Sequence, residues 1–346
     1  AGVTTGTTAA VTNLGANTSV ELAGAAANNG TLTVGLKTDT AADVMTLILN
    51  KDYTDNNDTT IDARAAAHTV VAADVETLNV NSTGKMTLTG GPTKVEGYKA
   101  DLVTNTLTLT GSNKLASVVV TGDQAFSLAS TAAMTKLASV DGSANTGGVT
   151  FDGSLADMTT PTTSVAMSIK GSATAANTLT GTGHADTIVG GAKNDTITGG
   201  KGGDTLTGNG GNDKFVFAAG DSSIGTGTFD TITDFVANTW GNGAAGAAGT
   251  EADLSDATKV TGDVLSFTVG GSASAAKGIK VFVASSAADA TTFLANTASA
   301  DNTQSSAALD STTNKLYVDV TGDGVTDFYI SLTGVTTLDA AAFDIN

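Results

Sequence analysis

The segment from Ser172 to Val216 repeats a nine-residue unit five times: SATAANTLT, GTGHADTIV, GGAKNDTIT, GGKGGDTLT and GNGGNDKFV. The sixth position of every unit is polar, and the eighth is large and apolar. The sixth-position residues are Asn177, Asp186, Asp195, Asp204 and Asp213, and the eighth-position residues are Leu179, Ile188, Ile197, Leu206 and Phe215. A fixed period of this kind predicts a repeated structural unit rather than a glycine-rich linker.

The composition of each unit predicts a tight turn followed by a short strand. Its first six residues are mostly glycine, asparagine, aspartate and lysine; glycine accepts positive φ, and asparagine and aspartate tolerate it. Its last three residues alternate, so that the apolar eighth side chain points inward and its neighbours point outward. Two units would form one coil of about 18 residues, and coils stacked about 4.8 Å apart would bury the apolar column as a parallel β-solenoid.

Stacked coils would bring the aspartates of the repeat together in pairs. Asp186 would lie beside Asp204 on one edge of the solenoid, and Asp195 beside Asp213 on the other. Two carboxylates about 5 Å apart repel each other by roughly 3 kcal/mol at an effective dielectric constant near 20. Carboxylates and the carbonyl groups of glycine-rich turns supply the all-oxygen ligand set that Ca²⁺ prefers. We therefore predict Ca²⁺ ions between the coils.

The unit resembles the RTX nonapeptide GGxGxDxUx, which forms a calcium-binding parallel β-roll. This resemblance implies that the sixth side chain and the carbonyl oxygens of positions one, three and five bind the ion. Besides the five sixth-position residues, the implied ligands are Gly181, Gly183, Ala185, Gly190, Ala192, Asn194, Gly199, Lys201, Gly203, Gly208, Gly210 and Asn212. Asn177 lacks the charge, and His184 and Lys193 replace the usual glycine of position four. We therefore expect the first coil to bind calcium weakly or not at all.

The overall composition favours short strands and excludes several partners. The chain has 346 residues with 42 glycines, two prolines, no cysteine and a net charge of −18. Such usage suits strands and tight turns better than helices. The acidic charge argues against nucleic acid or an anionic membrane surface as a partner, and the absence of disulfides leaves calcium as the expected stabiliser. No run of about 20 apolar residues exists, so membrane insertion is not expected.

Residues 1–168 form a region rich in threonine, alanine and valine that predicts further β-structure, while residues 169–225 hold the roll. The sequence KLASV occurs at Lys114–Val118 and again at Lys136–Val140, which fits one coil of a larger β-solenoid; a β-sandwich is the main alternative. Short alternating segments predict strands at Ser19–Leu22, Thr31–Leu36, Val44–Leu49, Glu76–Val80, Lys85–Thr89, Thr106–Thr110, Ser117–Thr121 and Ala125–Leu128.

Two further features of residues 1–168 are expected to have no metal-binding role. The segment Lys51–Asp62 carries four aspartates at irregular spacing. We favour a solvated connection there over a calcium loop, because no glycine marks a sharp ligand turn. His68 has no second histidine or cysteine nearby, so it is expected to be a surface or packing residue. Asp221 in AAGDSS, by contrast, stands where another calcium loop would end and is included among the candidate ligands.

Residues 226–346 predict a β-region that caps the solenoid. Gly262–Phe267 and Lys280–Ala284 are expected to be strands covering its end, and Ala287–Ala295 is the best helix candidate; Trp240–Gly249 is expected to be a loop. The sequence DVTGDGVTD resembles the start of a DxDxDG calcium loop, with a plain β-turn as the alternative. Its candidate ligands are Asp319, Thr321, Asp323 and Asp327. The tail resembles the secretion signals of RTX proteins exported through type I channels.

The sequence lacks the motifs of the enzymes in which such repeats occur. It has neither HExxH nor GxSxG, so we expect no zinc protease, no lipase and no enzyme. Its threonine-, alanine- and glycine-rich segments resemble RTX surface-layer proteins. We therefore hypothesise that the chain is an extracellular structural protein of a surface layer (S-layer), which leaves the cell through a type I exporter and folds when it binds calcium. It would then assemble with copies of itself, and cell-surface polysaccharide is a candidate further partner. A glycan- or cell-binding adhesin and a polysaccharide-acting solenoid enzyme are the alternatives.

Overall fold

The computed structural model describes residues 9–22, 31–49, 53–55, 67–84, 86–88, 104–130, 134, 136–154, 166–218, 220–222, 229–237, 239–240, 260–267, 279–284, 286–298, 305–321, 323–338 and 342–345. The chain forms two compact units, Ala1–Leu179 and Thr180–Asn346. Strands dominate the described residues, which contain a single helix. The all-β prediction is therefore confirmed, whereas the three predicted regions 1–168, 169–225 and 226–346 stay a prediction.

The first unit is built from strands that alternate between two sheets. One sheet has the order β1-β3-β6-β9-β11-β13 and the other β2-β4-β7-β10-β12-β14. Each coil thus gives one strand to each sheet, as in a β-solenoid. The strands that begin in this unit are β1 (Ala9–Leu14), β2 (Ser19–Leu22), β3 (Thr31–Leu36), β4 (Val44–Leu49), β5 (Tyr53–Asp55), β6 (Ala67–Ala72), β7 (Thr77–Ser82), β8 (Met86–Leu88), β9 (Asn105–Leu109), β10 (Ser117–Gly122), β11 (Phe126–Ser130), β12 (Ser139–Asn145), β13 (Val149–Asp152), β14 (Ser168–Lys170) and β15 (Thr178–Thr180).

The KLASV repeat marks successive coils of this unit, as predicted. Strand β10 pairs in parallel with β12, so that Ser117 faces Ser139 and Val118 faces Val140, a shift of 22 residues. Parallel stacking of this kind differs from the antiparallel sheets of a β-sandwich, so that alternative is wrong here. Apolar side chains form a fully buried column along the second sheet: Met45, Leu78, Val118, Val140 and Ile169.

The second unit continues the alternation and ends in a mixed sheet. Its sheets have the orders β17-β19-β23-β28 and β16-β18-β20-β27-β26-β25-β24. A separate antiparallel pair joins β21 to β22. The elements are β16 (Thr187–Gly191), β17 (Thr196–Thr198), β18 (Thr205–Asn209), β19 (Lys214–Phe217), β20 (Asp230–Ile232), β21 (Thr239–Trp240), β22 (Val260–Thr261), β23 (Val264–Phe267), β24 (Ile279–Ala284), α1 (Ala287–Ala298), β25 (Ser305–Asp310), β26 (Lys315–Asp319), β27 (Phe328–Leu332) and β28 (Phe343–Ile345).

The nine-residue repeat forms the predicted coils. Ile188 pairs with Leu206 and Ile197 with Phe215, which is a parallel shift of 18 residues. All five eighth-position side chains are fully buried. The column then continues beyond the repeat, because Leu206 pairs with Ile232 and Phe215 with Leu265. The apolar column therefore extends past the end of the glycine-rich repeat.

The C-terminal elements extend the sheets beyond the last repeat strand. Strand β23, within the predicted strand Gly262–Phe267, pairs with β19 and is followed by β28, so it covers the edge that β19 would otherwise expose. The role of residues 226–346 as a cap stays a prediction. The predicted helix is present and connects the parallel strands β24 and β25. It packs Ala290 and Leu294 against Ala284, Ala308 and Tyr317. Trp240 lies in β21, and the rest of the predicted loop at 241–249 lies outside the described residues.

Candidate metal centre

The glycine at position one of each repeat makes room for the aspartate of the same repeat. A Cβ atom added to Gly199 would lie 2.3 Å from Oδ2 of Asp204, and one added to Gly208 would lie 2.2 Å from Oδ2 of Asp213. Gly181 and Gly190 have the same relation to their own aspartates. The carboxylate folds back over the start of its own turn, and a side chain there would displace it.

The aspartates are paired across coils by hydrogen bonds from the main chain. The N–H group of Asp186 donates to Oδ1 of Asp204 over 2.8 Å, and the N–H group of Asp195 donates to Oδ1 of Asp213 over the same distance. Both pairs were predicted from the period of the repeat. Because Asp186 and Asp204 precede strands of one sheet and the other pair precedes strands of the other, the pairs lie on alternate turns of the coil.

The second oxygen of two of these carboxylates is buried without a hydrogen-bond partner among the described residues. These are the Oδ2 atoms of Asp204 and Asp213. Burial raises the pKa of each carboxyl to about 7; hydrogen bonds from Asp186 and Asp195 oppose this rise, and the charges of those neighbours add to it. A buried, unpaired negative charge is costly. A cation bound to oxygen ligands at this point would remove the cost, so the residues fit Ca²⁺.

The aspartates of the first coil are held differently. Oδ2 of Asp186 accepts hydrogen bonds from the N–H group of Thr182 over 2.5 Å and from its hydroxyl over 2.9 Å. Oδ2 of Asp195 accepts one from the N–H group of Gly191 over 2.5 Å. The Oδ2 atoms of Asp186 and Asp195 thus bond to the main chain of their own turns, whereas the Oδ2 atoms without a partner belong to Asp204 and Asp213 of the following coil. Weaker calcium binding by the first coil stays a prediction.

The fourth position of the repeat shows why glycine is needed in one coil and not in the other. Gly202 and Gly211 have φ angles of +134° and +121°. A Cβ atom on either would lie 2.6 Å from a main-chain carbon of the preceding coil, at His184 and Lys193 respectively. The second coil therefore requires glycine at this position. The residues whose main chain these Cβ atoms would meet, His184 and Lys193, occupy position four of the first coil.

Main-chain oxygens complete the candidate ligand set. Among the described residues, no three carboxylate or imidazole groups converge closely enough to hold a metal ion, so each site would combine a carboxylate pair with carbonyl groups. The turns touch directly, since the carbonyl oxygen of Gly199 lies 2.2 Å from where a Cβ atom of Gly181 would be. The implied carbonyl ligands at positions one, three and five all lie in the four turns 181–186, 190–195, 199–204 and 208–213.

Asn177 has a different role from the aspartates. Its Oδ1 accepts hydrogen bonds from the N–H groups of Ser172 and Val149, at 2.7 and 3.0 Å. Its Nδ2 donates to the carbonyl oxygens of Ser172 and Ala175, both at 3.0 Å. The amide therefore bonds the carbonyl group of position one, which a cation would otherwise attract, together with that of position four, and we remove Asn177 from the proposed ligands.

Asp221 contacts the repeat turn 199–204, which contains Asp204. Its carbonyl oxygen accepts a hydrogen bond from the N–H group of Gly202 over 3.2 Å, and its Oδ2 accepts one from Ala218 over 2.6 Å. Burial raises the pKa of its carboxyl group. Asp221 therefore contributes negative charge close to the turn that contains Asp204.

The predicted calcium loop near the C-terminus forms the turn between β26 and β27. Oδ2 of Asp319 accepts a hydrogen bond from Gly324, and Oδ2 of Asp327 accepts bonds from the N–H groups of Val320 and Thr321. The hydroxyl of Thr321 lies near Asp319 and Asp327. Asp323 instead accepts a bond from Val325 in its own turn, over 2.8 Å. These bonds explain the turn, and calcium binding there stays a prediction.

The remaining candidates of the N-terminal half are placed as follows. Asp52, Asp58 and Asp62 lie outside the described residues, and of Asp55 the structure gives only the main chain, in β5. His68 points into the first unit, where it is 5% exposed, and burial lowers its pKa. It is thus a packing residue, one of the two roles expected from the sequence.

On each edge, the N–H group of one aspartate donates to the carboxylate of the next, and we call this series of hydrogen bonds the aspartate ladder. The sequence analysis missed two carboxylates that continue the ladder. The N–H group of Asp204 donates to Oδ1 of Asp230 over 2.8 Å, and that of Asp213 donates to Oδ1 of Asp263 over 2.9 Å. The available signal was an aspartate two residues before an inward apolar residue, as in Asp230-Thr-Ile-Thr. This signal does not fit the nine-residue period, because the steps from Asp204 to Asp230 and from Asp213 to Asp263 span 26 and 50 residues instead of 18.

A parallel solenoid whose stacked glycine turns hold paired, buried carboxylates belongs to the class of calcium-binding β-rolls. Residues 180–215 match the family model of the RTX calcium-binding nonapeptide repeat, in four copies. Repeats of this family bind Ca²⁺, so the predicted cofactor is confirmed, and they are typical of secreted extracellular proteins. A search of curated proteins found no match. No helix in the described ranges is both long and apolar enough to cross a membrane.

Proposed function

We propose that this protein is a structural component of a bacterial surface layer, which is exported by a type I system and assembles with its own copies after calcium binding. The observation that supports calcium control is the pair of buried, unpartnered carboxylate oxygens of Asp204 and Asp213. The structural role is supported by the large share of solenoid strands in the described chain. The absence of HExxH and GxSxG from the sequence supports a role other than protease or lipase.

The mechanism follows from the linkage between ion binding and folding. Without an ion, the second unit must bury the carboxyl groups of Asp204 and Asp213 beside other acidic groups. Binding free energy at sites that exist only in the folded chain becomes folding free energy. Extracellular calcium modules bind at about 10⁻⁴ to 10⁻³ M, so the low calcium of the cytosol would leave the repeat unfolded. A type I exporter would therefore receive an unfolded chain.

The proposal is tested by titrating chelated protein with calcium while recording circular dichroism and electron micrographs. We expect the β-signal and ordered sheets or filaments to appear together at submillimolar to millimolar calcium. The same titration with magnesium serves as the control, because Mg²⁺ demands a smaller octahedral site and retains its water. Folding without assembly would contradict the surface-layer proposal.

A monomer that folds with calcium would then be tested on a glycan array. Specific glycan binding would favour an adhesin, the second function that the repeats permit. Turnover of a polysaccharide would favour the solenoid enzyme. Either result would leave the calcium-dependent folding of the roll intact, because that rests on the turn carboxylates alone.

A further inference from the structure

A third aspartate shares the unusual state of Asp204 and Asp213 but lies beyond the matched repeats. Asp230 begins β20 and is completely buried. Its Oδ1 accepts the hydrogen bond from Asp204, and its Oδ2 has no hydrogen-bond partner among the described residues. The family match ends at residue 215. The feature that marks the repeat sites therefore occurs once more on the edge that contains Asp186.

The neighbourhood of Asp230 is acidic and held together by named contacts. Oγ of Ser222 accepts a hydrogen bond from the N–H group of Asp230 over 3.1 Å and donates one to the carbonyl oxygen of Tyr329 over 2.6 Å. The adjacent Asp221 is bonded to Gly202 through its carbonyl oxygen. The negative charge of Asp221 acts on both Asp204 and Asp230. The buried oxygen of Asp230 that lacks a donor therefore lies in the field of two other carboxylates, those of Asp204 and Asp221.

The other edge of the roll provides an internal comparison. Asp263 occupies the equivalent ladder position, since its Oδ1 accepts the N–H group of Asp213. Its Oδ2, however, accepts a hydrogen bond from the N–H group of Val236 over 2.8 Å. Both oxygens of Asp263 are therefore bonded by the protein, and the ladder on this edge ends without an oxygen that needs a cation.

We propose that Asp204, in the last repeat turn of this edge, and Asp230, beyond the repeats, bind an additional Ca²⁺ ion together with main-chain oxygens of the adjoining turns, and that the other edge has no equivalent site. The chemistry is that of a hard divalent cation bound by oxygen ligands. Through Ser222 and its hydrogen bond to Tyr329, this ion would hold β27 of the mixed sheet to the end of the roll. Calcium would then organise part of the C-terminal region as well as the repeats.

The test counts the ions bound to the whole chain by native mass spectrometry at saturating calcium. Asp230→Asn should bind one ion fewer than the native protein, because the amide can still accept the bond from Asp204 but no longer supplies a charged ligand. Asp263→Asn is the matched control and should bind the same number of ions as the native protein. Circular dichroism at saturating calcium verifies that each variant is folded.

Two results would overturn the site: an unchanged ion count for Asp230→Asn, or the loss of one ion by both variants, which would indicate a general disturbance of the ladder. If Asp230→Asn does not fold, Asp221→Asn replaces it. That variant should weaken one ion several-fold at low salt and less at high salt, since it removes only a nearby charge. Unchanged affinity for every ion would then exclude the site, while calcium binding by the repeats would be unaffected.

Discussion

The turns of the two units are held by different side chains: asparagines bond to the main chain of the turns in the first unit, and aspartates do so in the second. In the first unit, Oδ1 of Asn145 accepts the N–H groups of Gly147 and Gly148, at 3.0 and 2.9 Å, while its Nδ2 donates to the carbonyl oxygen of Gln124 over 3.0 Å. Asn105 and Asn177 also donate to turn carbonyl groups. In the second unit, aspartates occupy the turns. An amide both donates and accepts, whereas a carboxylate only accepts.

This difference determines which unit depends on metal. The asparagine turns satisfy their carbonyl groups from within the chain and carry no charge. The aspartate turns leave one buried carboxylate oxygen of each of Asp204, Asp213 and Asp230 without a hydrogen-bond donor among the described residues. We infer that the first unit folds without calcium and that the second requires it. One solenoid architecture can therefore contain a permanent part and a part controlled by an ion.

Removing calcium should have the largest effect and should separate the units. Two sites, each filled at a hundred times its Kd, would stabilise the second unit by about 5 kcal/mol. Hydrogen exchange after chelation should therefore show rapid exchange in the second unit, at 187–217, and continued protection in the first, at 105–130 and 136–152. Equal loss of protection in both ranges would contradict the comparison. Protection restored by calcium but not by magnesium would confirm that the ion is specific.

Ile197→Asp should disrupt the second unit even with calcium present. The side chain is fully buried in the apolar column, and a charge there should cost about 4 kcal/mol or more. Denaturant unfolding followed by circular dichroism measures the loss. Thr196→Asp is the control, because this neighbour points outward and pairs with Lys214. If Ile197→Asp unfolds at the native denaturant concentration, the assigned register is wrong.

Asn145→Asp would give a turn of the first unit the aspartate that is typical of the second unit's turns. The new carboxylate could not donate to the carbonyl oxygen of Gln124 and would bury a charge, at a cost of about 2 kcal/mol. The same change at Asn79, which points outward from β7, is the control. Unfolding is measured with and without calcium. A variant as stable as the native protein would show that the amide donor is not required.

The last prediction concerns the pH dependence of the calcium-free second unit. Burial raises the pKa values of Asp204 and Asp213 to about 7, above those of the unfolded chain. The folded state therefore holds protons that the unfolded state releases, so stability is highest below about pH 4 and decreases as the pH rises through about 7. Thermal melting in chelator measures this decrease. In the double variant Asp204→Asn, Asp213→Asn the decrease should be smaller and should come from Asp230, Asp221 and Asp263, whose pKa values burial also raises; a decrease of unchanged size would show that Asp204 and Asp213 do not contribute to it.

The sequence predicted the parts of the fold that repeat locally. The apolar column, the aspartate pairs and the 22-residue coil step are visible because a fixed period carries each of them. Asp230 and Asp263 were missed because the intervening insertions break the period, although the strands still stack in register. The role of Asn177 could not be read either, since whether a turn side chain needs a cation depends on hydrogen bonds that only the folded coil defines.

The alternation of strands between two sheets restricts how this protein can change in length. Each nine-residue unit supplies one strand, and consecutive units go to opposite sheets. A single added or deleted unit would send every later strand to the wrong sheet and would join aspartates of opposite edges. Units added or lost in pairs would keep every later residue in its place. Gene duplications within this segment are therefore expected to be tolerated in steps of 18 residues, so length variation should follow an even-number rule.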